Sequence, residues 1–144
     1  MVAVLPSRME EVLLLVGGRG LRESEVAKTL GVTRQTVNRV LREARAKLTE
    51  MFLGLAEVLN ADIVRLNVSK GFAVLRSRQT RTKIYVIYVP GRGLRAVFEG
   101  GIDCSGDNVG LCTELVEAAS QWGLIKPTGN TARDVERVLE AMEA

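Results

Sequence analysis

The chain has 144 residues, 47% apolar and 26% charged, with 20 basic and 17 acidic side chains for a net charge of +3. That length holds one average domain or two small ones and buries roughly two-thirds of the unfolded surface, so folding needs no disulfide framework. No apolar run approaches the roughly 18–20 residues of a membrane span, Met1 to Leu5 is too short and too uncharged for a signal peptide, and the lack of histidine removes the usual general base; a soluble, cytoplasmic chain with no catalytic residue, cofactor or metal is expected.

The first element is an apolar-rich helix over Met9 to Val16, with Ser7 after Pro6 as its cap and Gly17-Gly18 at its end. Next comes ESEVAKTLGVTRQTVNRVLR, Glu23 to Arg42. Two short helices crossing steeply need a small residue at the contact, a glycine at the corner and apolar inward faces. Ala27 is the contact and Gly31 the corner, while Val26, Leu30, Val32, Val37 and Val40 fall at inward positions. Thr33 is placed to cap the second helix by accepting from the N–H of Gln35 or Thr36. This is the spacing of a helix-turn-helix, and the first helix would lie across its back to complete a three-helix core.

The outward face of the second helix carries Thr33, Arg34, Gln35, Asn38, Arg39 and Arg42, with no acid before Glu43. Such a face suits a polyanion, and Arg, Gln and Asn can pair bidentately with guanine or adenine in the major groove. Double-stranded DNA is the expected partner. Arg34, Gln35, Asn38 and Arg39 are the expected base contacts, and Thr33, Arg42 and Arg45 the expected phosphate contacts.

The apolar stripe continues through Leu41, Ala44, Leu48, Met51, Phe52, Leu55, Val58 and Leu59. Either the reading helix runs on or a break near Thr49 starts another. The stripe can pack onto the rest of the chain or form the seam of a homodimer, which would let two modules read a two-fold site. From Ile63 the period changes to that of strands. Ile63 to Val68, Phe72 to Arg78, Lys83 to Val89 and Leu94 to Phe98 read as three or four antiparallel strands, with turns at Ser69-Lys70-Gly71 and Pro90-Gly91-Arg92-Gly93. Lys83 to Val89 is apolar on both faces and belongs in the centre, one face covered by helices.

Cys104 and Cys112 stand eight residues apart in the region that follows. With no histidine to join them, the expectation is two reduced, partly buried thiols, an intrachain disulfide being the alternative. Cys104 to Asn108 reads as a loop with Asp107 or Asn108 as cap. A helix then buries Val109, Cys112, Leu115, Val116, Ala119 and Trp122. After the break at Lys126 to Asn130, Thr131 and Asp134 read as a capping box for a last helix burying Val135, Val138, Leu139 and Met142. The whole is an α+β fold: a helix-turn-helix domain with its linking or dimer helix over 1–60, and a small antiparallel sheet with two helices over 61–144 for dimerisation or sensing.

The stretch VLLLVGGRGLRESEVAKTLGVTRQTVNRVLREARAKL resembles the helix-turn-helix of archaeal Tfx-type transcriptional regulators and, more distantly, the promoter-reading C-terminal helices of bacterial sigma factors. The resemblance spans about Met9 to Leu48 and implies a cytoplasmic DNA-binding regulator reading its operator through Thr33, Arg34, Gln35, Asn38 and Arg39. One departure is Arg22, which stands where a Ser or Thr cap is usual; Glu23 and Glu25 must then favour the helix start through its dipole.

Charge is unevenly spread. Residues 63–98 hold eight bases and no acid, whereas residues 99–144 hold nine acids and three bases. The basic strands can be compensated by the acidic helices, with Glu114, Glu117, Asp134 and Glu136 as partners. They can instead add DNA backbone contacts as a wing, or hold an anionic small-molecule effector through Arg76, Arg78, Arg81 and Lys83. A DNA-processing enzyme, recombinase-like or nuclease-like, is the alternative of a different class, with Asp103 and Asp107 as candidate magnesium ligands.

Overall fold

The computed structural model describes residues 4–144. Helix α1 (Ser7–Leu13) begins after Pro6, which sits at the cap with no side-chain hydrogen bond, so Ser7 is the first helical residue and not the expected cap. The chain then widens into a π-helical turn over Leu14–Gly18. Helix α2 (Glu23–Leu30) and helix α3 (Arg34–Val58) follow. Helix α3 is unbroken for 25 residues, so the second helix of the motif does run on past Thr49.

Strands β1 (Ala61–Asn67), β2 (Phe72–Ser77), β3 (Lys83–Val89) and β4 (Gly93–Phe98) form one antiparallel sheet in chain order. The register between β1 and β2 shifts between Ile63 and Arg65, which inserts Val64 as a bulge and leaves it exposed. Helices α4 (Val109–Gln121) and α5 (Thr131–Glu143) complete the chain. None of the described helices is long and apolar enough to cross a membrane.

Alternation along β3 explains its continuous apolar run. The Tyr88 hydroxyl reaches α1, where it donates to Glu10 Oε2 and accepts from the Leu5 N–H at 2.8 Å. Tyr85, three residues earlier and therefore on the opposite face, meets Glu143 of α5. Helices thus cover both faces of β3, where the sequence led us to expect one. The sheet lies between the N-terminal helices and the C-terminal pair, and the core is continuous from Leu5 to Met142.

Two close approaches seat the N-terminal helices on the rest. A methyl group at Gly17 would lie 2.0 Å from the Ser69 carbonyl oxygen, and one at Gly18 would lie 2.1 Å from that of Gln121. The Lys70 ammonium donates to the Gly17 carbonyl at 2.9 Å across the same junction. Trp122, fully buried, donates its indole N–H to the Tyr88 carbonyl at 2.8 Å.

Two local expectations are corrected. Cys104 and Cys112 are joined as a disulfide rather than held as reduced thiols, because the glycine-rich segment before α4 folds back until the two Cα atoms are 5.7 Å apart. At α5 the cap is Asn130, whose side chain accepts from the Arg133 N–H. Asp134 does not close a box with Thr131; it is buried and accepts from the Thr128 N–H and hydroxyl, both at 2.9 Å, and from Arg137 at 3.0 Å.

Candidate nucleic-acid interface

The corner between α2 and α3 follows from Gly31, which sits in the left-handed region at φ 67°. There the Val32 N–H donates to the Ala27 carbonyl at 3.0 Å and the Gly31 N–H to that of Lys28 at 3.3 Å, the paired closure of a helix end by a glycine. Val26, Ala27 and Val37 are buried at the crossing, with Leu30, Val32 and Val40 half-buried around them. The start of α2 is settled without a hydroxyl cap. Glu25 Oε1 accepts from both the backbone N–H and the Nε–H of Arg22, each at 3.1 Å, and these bonds hold its carboxyl below the usual glutamate range.

Thr33 caps α3 as expected, its hydroxyl accepting from the Thr36 N–H at 3.1 Å and bonding to the Thr36 hydroxyl at 2.9 Å. The Thr33 hydroxyl is therefore committed within the fold. Arg34, Gln35, Arg39 and Arg42 are exposed on one stretch of α3, and among the described residues no acid lies within ion-pair distance of them. Arg45 is half-buried, with its Nε enclosed and unpartnered. Asn38 is exposed but engaged: its Nδ2 donates to Glu23 Oε1, at the start of α2, at 3.0 Å. The bond between Glu23 and Asn38 escaped the sequence reading, which placed Glu23 only at the helix start, since a contact between residues fifteen apart depends on the crossing of the two helices.

The basic strands are placed differently from the outward face of α3. The Arg78 N–H donates to the Asn60 carbonyl, which sets the β2–β3 turn at the C-terminal end of α3. At about 1.5 Å per residue, 25 residues separate that turn from Thr33 by roughly 37 Å. Arg78 pairs with Asp62 at 2.7 Å, Lys83 with Glu143 at 2.8 Å, and Arg92 and Arg95 both approach Glu114 at 3.5 Å. Of the acids expected to compensate the strands, only Glu114 does so among the described residues; Glu136 pairs with Arg133 and Asp134 with Arg137. Arg76 and Lys83 line one cleft of about 200 Å³ with Arg65 and Glu143, whereas Arg78 lines another, so the four residues considered for an effector do not converge. Nor do Asp103 and Asp107 join a third ligand: among the described residues no three acids or cysteines could hold a metal ion.

The segment that builds this supporting helix, helix pair and basic outward face matches one family model. Residues 1–50 match sigma-70, region 4. The sigma-type match covers about a third of the chain and includes α1, α2 and about the first two-thirds of α3. Sigma-70, region 4 is a helix-turn-helix DNA-binding domain found in sigma factors and helix-turn-helix regulators, and the N-terminal part of the chain is similar to it. No curated protein and no solved structure matches the chain.

Proposed function

We propose that this chain is a sequence-specific transcription regulator that inserts the N-terminal half of α3 into the major groove of double-stranded DNA. The observation that carries this reading is the set Arg34, Gln35, Arg39 and Arg42 on one stretch of α3, exposed and with no acid within ion-pair distance among the described residues, on a sigma-type module. Arg34, Gln35, Asn38 and Arg39 are assigned to base edges, and Arg42 and Arg45 to phosphates. Thr33 serves chiefly as the cap that fixes where the reading helix starts.

Repression or activation would follow from occupancy of the operator. Pairing of two chains on a two-fold site belongs to this reading, supported by the motif's usual mode of binding. The inward stripe of α3 is largely spent within the chain, where Leu41, Ala44, Leu48, Phe52 and Ala56 are buried. Leu53 and Val58 are the large apolar residues it leaves exposed for a partner. Tfx-type specificity belongs to this reading and is supported by the sequence of the motif.

The test is binding of a randomised duplex library by the full chain, followed by alanine variants on the recovered sequence. Arg34→Ala or Gln35→Ala should cost about 1–3 kcal/mol at one base pair and relax the preference there. Loss of the same size on every sequence would move those residues to the phosphate class. Recovery of no preferred sequence would sink the reading.

A further inference from the structure

We infer that Glu23 is a positioning residue for base reading, holding the Asn38 amide in the one orientation that matches adenine. This rests on the reading that α3 enters the major groove. Asn38 Nδ2 lies 3.0 Å from Glu23 Oε1. A carboxylate accepts hydrogen bonds and donates none, so the amide edge turned toward Glu23 must be the NH₂ group. The contact therefore fixes the amide by chemistry as well as by geometry.

Left alone, an asparagine amide has a broad and nearly two-fold terminal torsion, and an exposed one presents either atom outward. Glu23 is half-buried on the first turn of α2, and Asn38 lies a full turn into α3. With one amide hydrogen given to the carboxylate, Oδ1 and the second hydrogen remain for a ligand. Adenine offers an N6 amino donor beside the N7 acceptor, which this pair complements. Guanine offers O6 and N7, two acceptors, and leaves Oδ1 facing an oxygen. Glu23 would thus exclude guanine at that position without touching the base, and its own charge would disfavour unrelated phosphate contact at the start of α2.

The experiment compares the full chain with Asn38→Ala, Glu23→Asp and Glu23→Ala in selection from a randomised duplex library, with melting curves on each protein. Glu23→Asp keeps the charge and the favourable helix start but is one methylene too short to hold the amide. Wild type should prefer adenine over guanine at one position by roughly 5- to 150-fold, the range for a bidentate contact. Asn38→Ala should erase that preference, and both Glu23 variants should reduce it several-fold at the same position and nowhere else. The inference is overturned if Glu23→Asp retains the wild-type preference, if the position sensitive to Asn38 is not adenine, or if the Glu23 variants weaken all sequences equally. A preference altered by Arg34→Ala and untouched by Asn38→Ala would also overturn it while leaving groove reading intact. Selection unchanged by every α3 variant would remove the groove reading itself.

Discussion

Asp134 illustrates what a single position reveals and conceals. An acid three residues after a threonine at a helix start has the spacing of a capping box, yet here Asn130 caps and Asp134 turns inward. The difference lies in the Thr128-Gly129-Asn130 segment, whose backbone brings an N–H and a hydroxyl over the carboxylate, a closure that residue types alone do not specify. Burial by itself would push the Asp134 carboxyl up, and the bonds from Thr128 and Arg137 outweigh it, leaving it below the ordinary aspartate range. A depressed folded-state value means that this carboxylate contributes stability above the unfolded value of about 3.9, and loses it as pH falls through the folded value. We expect Asp134→Asn to melt lower than wild type at neutral pH, with the gap closing below about pH 4. Melting temperature followed across that range checks the claim; a gap independent of pH would assign the loss to shape instead of charge.

Among the elements, the module from Glu23 to Arg42 was legible because all its constraints are local: the small contact at Ala27, the left-handed corner at Gly31 and the cap at Thr33 act within a few residues of one another. Gly17-Gly18 was read as a helix end, and the chain does leave its helix there. Hidden in the sequence was the backbone that approaches them, because Ser69 and Gln121 arrive from distant parts of the chain. The disulfide was illegible for a similar reason, since eight residues can be spanned by a bridge or by two free thiols. Gly17→Ala and Gly18→Ala should each destabilise by about 1–3 kcal/mol or more, because the atoms in the way are backbone carbonyls that cannot swing aside. Gly54→Ala is the contrast. It lies within α3 with open space around its would-be methyl, and should stabilise by up to about 1 kcal/mol through helix propensity. Urea denaturation of the three variants measures both signs, and equal effects at Gly17 and Gly54 would contradict a tight junction.

For the whole molecule, the acid-free run from Ile63 to Phe98 poses the question that composition left open, whether its charge serves DNA or the fold. Much of it is answered within the chain: Arg78, Lys83, Arg92 and Arg95 each meet an acid, and Lys70 meets the Gly17 carbonyl. Arg76 and Arg81 lack an acid partner among the described residues, but their strand end lies at the far end of α3 from Thr33, roughly 37 Å along the helix. Contacts with phosphates release counterions, and each one lost lowers the slope of log affinity against log salt by close to one. Arg42→Ala and Arg45→Ala, at the residues proposed for phosphate contact, should each show this effect. Arg76→Ala and Arg81→Ala should leave both slope and affinity at the wild-type level. Should the slope fall for the strand residues as well, the DNA must bend or extend along the full length of α3, and the sheet would join the binding surface as a wing.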